Sequence, residues 1–176
     1  MKSQQSRAFT IEQNCDGRAA EVAGVVEAAF RLQYGNGCGE VALVAALRAA
    51  DDAVAELVAV EEDTVVGHVM FSRMTPTPAD RQIAALAPVC ARIDRQNTGI
   101  GSALVRAGLD ICRERGIGAV IVLGEPDYYG RFGFRAAKAE GIACVYAGPH
   151  LQALELIPDT LKGVTALAYA PAFSAV

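Results

Sequence analysis

The junction at residues 95–102 constrains this chain more than any other stretch. Arg95-Gln96-Asn97-Thr98-Gly99-Ile100-Gly101-Ser102 lies between an apolar, strand-like segment at 83–91 and the strongest helical pattern in the sequence. In that pattern Ile100, Ala103, Leu104, Ala107, Gly108 and Ile111 form one stripe, while Arg106, Asp110, Arg113 and Glu114 lie off it, as an amphipathic helix requires. Gly116 and Gly118 stop it. A Gly-x-Gly that opens a helix lets the backbone turn tightly and approach a ligand with no Cβ in the way. The unpaired N–H groups and the dipole of the helix start then attract an anion, for which a diphosphate is the natural guest. Gly-x-Gly alone leaves a second reading open, a strand-to-helix turn that needs glycine only for backbone geometry.

Two nucleotide-binding patterns fail on the letters. A dinucleotide fingerprint requires Gly-x-Gly-x-x-Gly, but the third glycine position holds Leu104, and the position about 20 residues on, where an acid should meet a ribose, holds Ile121. A Walker loop requires Gly-Lys-Ser/Thr, and the chain has no Gly-Lys pair. At 176 residues, 52% of them hydrophobic, the chain reads as one domain, 1–176, with a sizeable core. Its 16 Lys and Arg against 20 Asp and Glu leave a net charge of −4 without a long basic run, which argues against a nucleic-acid partner. The 5 cysteines are odd in number and never fall as Cys-x-x-Cys, and His68 and His150 lie far apart, so neither a disulfide framework nor a metal site is expected. Met1-Lys2-Ser3-Gln4-Gln5-Ser6 lacks the apolar stretch of a signal peptide, and no run approaches about 18 apolar residues. A cytoplasmic protein with reduced thiols and no membrane segment is the expectation.

Periodicity supplies the organisation. Phe9-Thr10-Ile11-Glu12 alternates like a short strand, and Val22, Val25, Val26, Ala29 and Phe30 recur at helical spacing until Gly35, Gly37 and Gly39 break the pattern. A second helix over 40–50 carries Val41, Val44 and Ala45 on one face. Two β-rich runs, 57–60 and 65–71, flank Glu61-Glu62-Asp63-Thr64 as a hairpin, with Pro76 and Pro78 ending the second arm. Pro88 inside the 83–91 strand donates no ladder hydrogen bond and belongs at an edge, a bulge or a gap. Residues 119–123 are continuously apolar, as in a central strand covered on both faces. Gly124-Glu125-Pro126 then opens a short helical piece through Tyr128-Tyr129, and β-like segments at 143–146, 153–157 and 164–169 close the chain. The order β-α-α-β-β-β-α-β-α-β-β is a mixed α/β layer structure rather than a bundle or barrel.

Gln96-Asn97-Thr98-Gly99-Ile100-Gly101 resembles the cofactor loop Gln/Arg-x-x-Gly-x-Gly/Ala of the GCN5-related N-acetyltransferase (GNAT) family. Tyr128-Tyr129-Gly130-Arg131-Phe132-Gly133-Phe134 is similar to that family's aromatic-Tyr-x-x-x-Gly-Phe motif after the fifth strand. Leu86-Ala87-Pro88-Val89 and a closing Tyr-x-Pro-x-Phe segment, Tyr169 to Phe173, resemble its YhbS-like bacterial branch. The resemblance implies an α/β (α+β) fold: a mixed, mostly antiparallel central sheet, helices on both faces, and a V-shaped splay between the fourth and fifth strands. It implies acetyl-CoA as co-substrate and no metal. The diphosphate would lie on the loop formed by Gln96, Asn97, Thr98, Gly99, Ile100, Gly101 and Ser102, with the pantetheine pairing like an added strand with Val89, Cys90 and Ala91. A strand that leaves its neighbour to admit a ligand also tolerates the missing donor at Pro88.

The implied reaction is direct attack of a primary amine, of a small molecule or a protein, on the thioester in a ternary complex. It needs an N–H for the oxyanion and an acid for the departing thiolate. Tyr129 aligns with the family's acid, a phenol of pKa about 10 facing a thiol of about 8.5, whereas Tyr128 reads as a core aromatic. The family often carries a glutamate base in the fourth strand; residues 84–89 contain no carboxylate, which leaves Glu40, Glu125 and Asp127 by chain position, or a water chain. His68 reads as structural, His150 as a loop residue and Cys90 as a small buried hydrophobe, while Arg131 and Arg135 are either solvated or in contact with an acidic substrate or a CoA phosphate. The missing base favours a rival, a non-catalytic acyl-CoA-binding, sensing or partner-binding module on the same fold. Transfer of a larger acyl group, or to a non-amine acceptor, stays open, as does a homodimer. Tyr34-Gly35-Asn36-Gly37 and the alanine-rich tail match no substrate motif, and net acidity favours cationic acceptors such as polyamines, aminoglycosides or lysine side chains.

Overall fold

The computed structural model describes residues 8–13, 15, 17–34 and 39–175. Residues 1–6 and the glycines at 35 and 37, read above, lie outside them. The elements run β1 (Thr10–Glu12), α1 (Ala19–Tyr34), α2 (Glu40–Ala49), β2 (Ala53–Glu61), β3 (Thr64–Thr77), β4 (Ile83–Ala91), α3 (Ile100–Glu114), β5 (Ala119–Leu123), α4 (Pro126–Tyr129), β6 (Leu151–Glu155) and β7 (Ala166–Tyr169). This is the order expected from the periodicity. The hairpin turn is tighter than the four residues read from the sequence: Glu61 pairs with Thr64, and Glu62 and Asp63, at φ 48° and 60°, make a two-residue turn whose twist matches the right-handed twist of the strands.

The sheet is ordered β1-β2-β3-β4-β5-β6, antiparallel except for the parallel pair β4–β5, and β7 adds to β3 on the edge opposite β4, beyond the end of β2. Two expectations change here. Pro76 does not end β3 but lies opposite Leu167 of β7; β4 pairs β3 only as far as Met74, so a missing N–H at Pro76 interrupts no ladder on that side. The β-like reading of 143–146 reduces to one bridge, Ala143 to Ala166, because Val145 and Tyr146 are exposed and share no buried face to pack.

Period-two alternation sorts the strands between two helical layers. Leu57 and Ala59 of β2 face α3, packing with Leu104, Val105 and Leu109, whereas Val58 and Val60 face α1 and α2, packing with Val22, Val26, Leu43 and Leu47. A third cluster joins Ile83, Ile121, Leu151 and Leu167 at the far end of the sheet. A Cβ at Gly108 would lie 2.1 Å from Cε2 of the fully buried Phe71, so α3 is seated directly on the sheet. His68 is fully buried and its Nε2 meets Glu56 Oε1 at 2.7 Å; Arg48 of α2 donates to the same carboxylate, its Nε 2.9 Å from Oε2. The three residues tie β3, β2 and α2 together, a structural role.

β4 and β5 pair through Ile83–Ala119, Ala84–Val120 and Ala85–Ile121 and then part. At the parting β4 carries a bulge: Val69 opposes Val89 and Phe71 opposes Leu86, leaving Ala87 and Pro88 across from Met70 alone. The V-shaped splay between the fourth and fifth strands follows, with Pro88 both at the bulge and at the gap.

Candidate functional site

One arm of the splay leads into the glycine loop. Arg95 ends a 3-10 turn, Ile93–Arg95, and its Nε pairs with Oε2 of the buried Glu61 at 2.8 Å, anchoring the loop to the end of β2. Thr98 Oγ1 donates to Arg95 O at 2.6 Å. Gly99 caps α3 at φ +90°, a backbone conformation open to glycine at little cost, and its carbonyl accepts the first helical bond from Ala103 N at 2.9 Å. With no side-chain cap, the first-turn amides are open to an anion. Gln96, Asn97, Gly99, Gly101 and Ser102 line one wall of a cavity of about 620 Å³, and Val89, Cys90 and Ala91 of β4 line another. Thr98 and Ile100 are not among its walls: Thr98 is engaged with Arg95, and Ile100 is buried beneath α3, where a Cβ at Gly67 would meet it. A Cβ at Gly101 would lie 3.0 Å from the Tyr128 hydroxyl, so the second glycine of the loop permits a close approach.

The other arm carries the tyrosines. Pro126 starts α4, whose first bonds run from Tyr128 N and Tyr129 N to Glu125 O at 3.1 and 3.0 Å. Tyr129 is buried, edge-on to Tyr128 with centroids 4.9 Å apart and to Phe134 at 5.9 Å. Its hydroxyl has no hydrogen-bond partner among the described residues. Burial, reinforced by Tyr128, raises the Tyr129 phenol above its ordinary value, so it keeps its proton at neutral pH. Both tyrosines border the 620 Å³ cavity and a larger one of about 950 Å³ that opens between residues 86–89 of β4 and Leu123 of β5 with the following Gly124.

The larger cavity gathers Phe30, Glu40 and Leu43 from the helices and Tyr146, Tyr169 and Phe173 from the C-terminal part. Of the acids singled out by position, Glu40 and Glu125 line it; Asp127 is exposed and does not. His150 also lines it, with Nδ1 3.9 Å from Glu125 Oε1. Phe30 was visible only as part of a helical stripe and Tyr146 only as the end of a β-like segment, so neither carried a functional signal. Arg131 stacks over Tyr128 at 4.5 Å and borders the smaller cavity, whereas Arg135 Nη1 donates to Gly130 O and Phe134 O and is committed to the local turn. Burial pushes the Cys90 thiol up to about 12, the opposite of what a nucleophile needs. Among the described residues no group of three or more His, Cys, Asp or Glu could hold a metal, and no helix is long and apolar enough to cross a membrane. Two cavities meeting at one protonated phenol suit two ligands reacting end to end, one of them anionic and extended.

Residues 29–134 match the acetyltransferase (GNAT) family. The uncharacterized N-acetyltransferase YhbS of Escherichia coli (strain K12) is 36% identical over 109 residues, which cover 61% of this chain and 65% of that protein, just under two thirds of its length. YjhQ of the same strain, also named an uncharacterized N-acetyltransferase, is 34% identical over 117 residues with the same coverage. The fold is similar to that of a GNAT family acetyltransferase from Brucella melitensis crystallised with acetyl-CoA, at TM-score 0.82 and 35% identity over 95% of this chain and 99% of that one. It is similar also to E. coli YhbS in complex with CoA, at TM-score 0.82 and 30% identity over 95% and 91% of the two chains.

Proposed function

Because the chain belongs to the acetyltransferase (GNAT) family, we propose that it transfers acetyl from acetyl-CoA to a primary amine by direct attack in a ternary complex. The observation that carries this reading is the junction of two cavities at Tyr129, one bordered by the glycine loop and the unpaired side of β4, the other open to a second substrate. The acetyl-CoA and CoA bound to the two similar crystal structures support the choice of acyl donor.

In this reading the amides of the Gln96, Asn97, Thr98, Gly99, Ile100, Gly101 and Ser102 loop hold the diphosphate, and Val89, Cys90 and Ala91 offer β4 as a strand for the pantetheine. The amine, which binds as an ammonium ion and first gives one proton to solvent, forms the C–N bond with its freed lone pair, and the carbonyl electrons move to oxygen, where a β4 N–H stabilises them. Collapse breaks the C–S bond, Tyr129 gives its proton to the thiolate, and the one surplus proton on nitrogen returns to the phenolate, restoring Tyr129. Burial leaves the phenol a weaker acid than a free thiol, so the proton transfer is uphill by itself and is drawn forward by collapse to the amide and return of the nitrogen proton to the phenolate. Reduced, buried Cys15, Cys90 and Cys112 fit a cytoplasmic setting.

Calorimetric titration with acetyl-CoA, with NAD and ATP as controls, followed by a free-thiol assay over a panel of amines, tests the proposal. Selective acetyl-CoA binding in the micromolar range and amine-dependent CoA release are expected. Gly99→Asp and Gly101→Asp should abolish binding in a folded protein. Because residues 83–91 contain no carboxylate base, an acyl-CoA sensor is the second reading; it predicts binding without release above hydrolysis.

A further inference from the structure

We propose that the larger cavity is built for a cationic primary amine carried on an apolar, aromatic-sized body, and that Glu40 is the residue that holds its ammonium group. The inference rests on the acetyl-transfer reading and names its acceptor class. Glu40 Oε2 is shielded from solvent and has no hydrogen-bond partner among the described residues. A half-buried carboxylate on the cavity wall, with one oxygen shut off from water and from any protein donor, is costly, and an ammonium group that draws the side chain round into the cavity is the partner that would satisfy it. Nothing on the cavity wall competes: among the described residues no lysine or arginine lines it, and Arg48, in the last turn of the same helix, is committed to Glu56. His150 lies beside Glu125, both exposed.

The rest of the wall selects the body of the amine. Tyr146, Tyr169 and Phe173 form a ladder, with centroids 5.3 and 4.7 Å apart, and Phe30 and Leu43 add apolar surface from the helices. Aromatic faces attract both apolar groups and cations. They offer little to a polyhydroxylated amine, whose hydroxyls would lose water without gaining partners. The closing Tyr-x-Pro-x-Phe segment thereby acquires a role: Pro171 starts the turn Pro171–Ser174 that brings Phe173 back against Tyr169.

The test is steady-state CoA release with four acceptors: 2-phenylethylamine, L-phenylalanine, ethylamine and spermidine, using wild type, Glu40→Gln and Phe173→Leu, with acetyl-CoA binding and Tm measured on each protein. Phenylethylamine should exceed the other three by tenfold or more in kcat/KM. Glu40→Gln should lose ten- to a hundredfold for phenylethylamine, mainly through KM, and should narrow its advantage over phenylalanine, whose carboxylate Glu40 repels. Phe173→Leu should lose the preference for phenylethylamine over ethylamine, and it serves alone if Glu40→Gln does not fold. A folded Glu40→Gln with unchanged amine selectivity, or a preference for ethylamine or spermidine, overturns this inference and leaves the acetyl-transfer reading intact. Acetyl-CoA binding with no turnover of any of the four also overturns it. Failure of the wild type to bind acetyl-CoA overturns both.

Discussion

Replacing Tyr129 by phenylalanine removes one hydroxyl and leaves the ring where it is, wedged edge-on between Tyr128 and Phe134 and against Gly124, where a Cβ would lie 2.4 Å from Tyr129 Cε2. The hydroxyl has no protein partner among the described residues, so its loss orphans no buried donor or acceptor, and stability should stay within about 1 kcal/mol of wild type. Acetyl-CoA affinity should also hold, because the proposed diphosphate and pantetheine contacts come from the backbone of the loop and β4. What disappears is the proton for the departing thiolate, a contribution of about 10²- to 10⁴-fold in rate, or ~2.7–5.4 kcal/mol. The assay is free-thiol release at saturating acetyl-CoA and amine, with calorimetric Kd and Tm on the same preparations. The phenol must be protonated to act, and burial raises its pKa above about 10, so no alkaline limb below pH 10 should originate from Tyr129. A kcat within twofold of wild type would refute the proton-donor role. So would a loss matched by an equal weakening of acetyl-CoA binding, which would mark Tyr129 as a wall of the cavity only.

Gly108→Ala sets helix propensity, worth about 1 kcal/mol in favour of alanine, against a Cβ 2.1 Å from the buried Phe71 ring, where overpacking costs about 1–3 kcal/mol; a lower Tm is expected, and a raised one would mean that α3 does not sit on Phe71. Glu61→Gln removes the charge opposite Arg95, so the loop should lose its anchor; acetyl-CoA Kd should weaken by about tenfold with a fall in Tm, and an unchanged Kd would separate the ion pair from the loop. Glu56 gives a pH dependence. Burial by itself would raise its carboxyl, but hydrogen bonds from His68 and Arg48, and then their charges, outweigh it and hold the pKa below 4.5. The unfolded chain therefore takes up the proton first, so this stabilisation is complete above pH 4.5 and is lost as pH falls through the lower folded value. Thermal melts between pH 7 and 3 should fall more steeply for wild type than for Glu56→Gln; parallel profiles would remove Glu56 from the acid response.

Local regularities reached far into this protein. The stripe from Ile100 to Ile111 places α3, the apolar run at 119–123 is β5 without a residue's difference, and the loop and the tyrosine motif fall on the two arms of the splay. Each of these is written in a few consecutive residues, because helical period, strand length and glycine turns depend on neighbours along the chain. Pro76 and Pro88 show the limit. Whether a proline ends a strand, bulges it or sits harmlessly at an edge depends on which strand lies beside it, and those partners, β7 for Pro76 and β3 for Pro88, come from elsewhere in the chain. The same holds for the larger cavity. Phe30, Glu40, Tyr146 and Phe173 share no spacing that a sequence pattern could register; they meet because β4 and β5 part after Ile121 and the helices and C-terminal turn close around the gap. Element identity and the glycine loop were thus decided by local chemistry. The second cavity and its half-buried carboxylate exist only once long-range pairing has brought distant segments together.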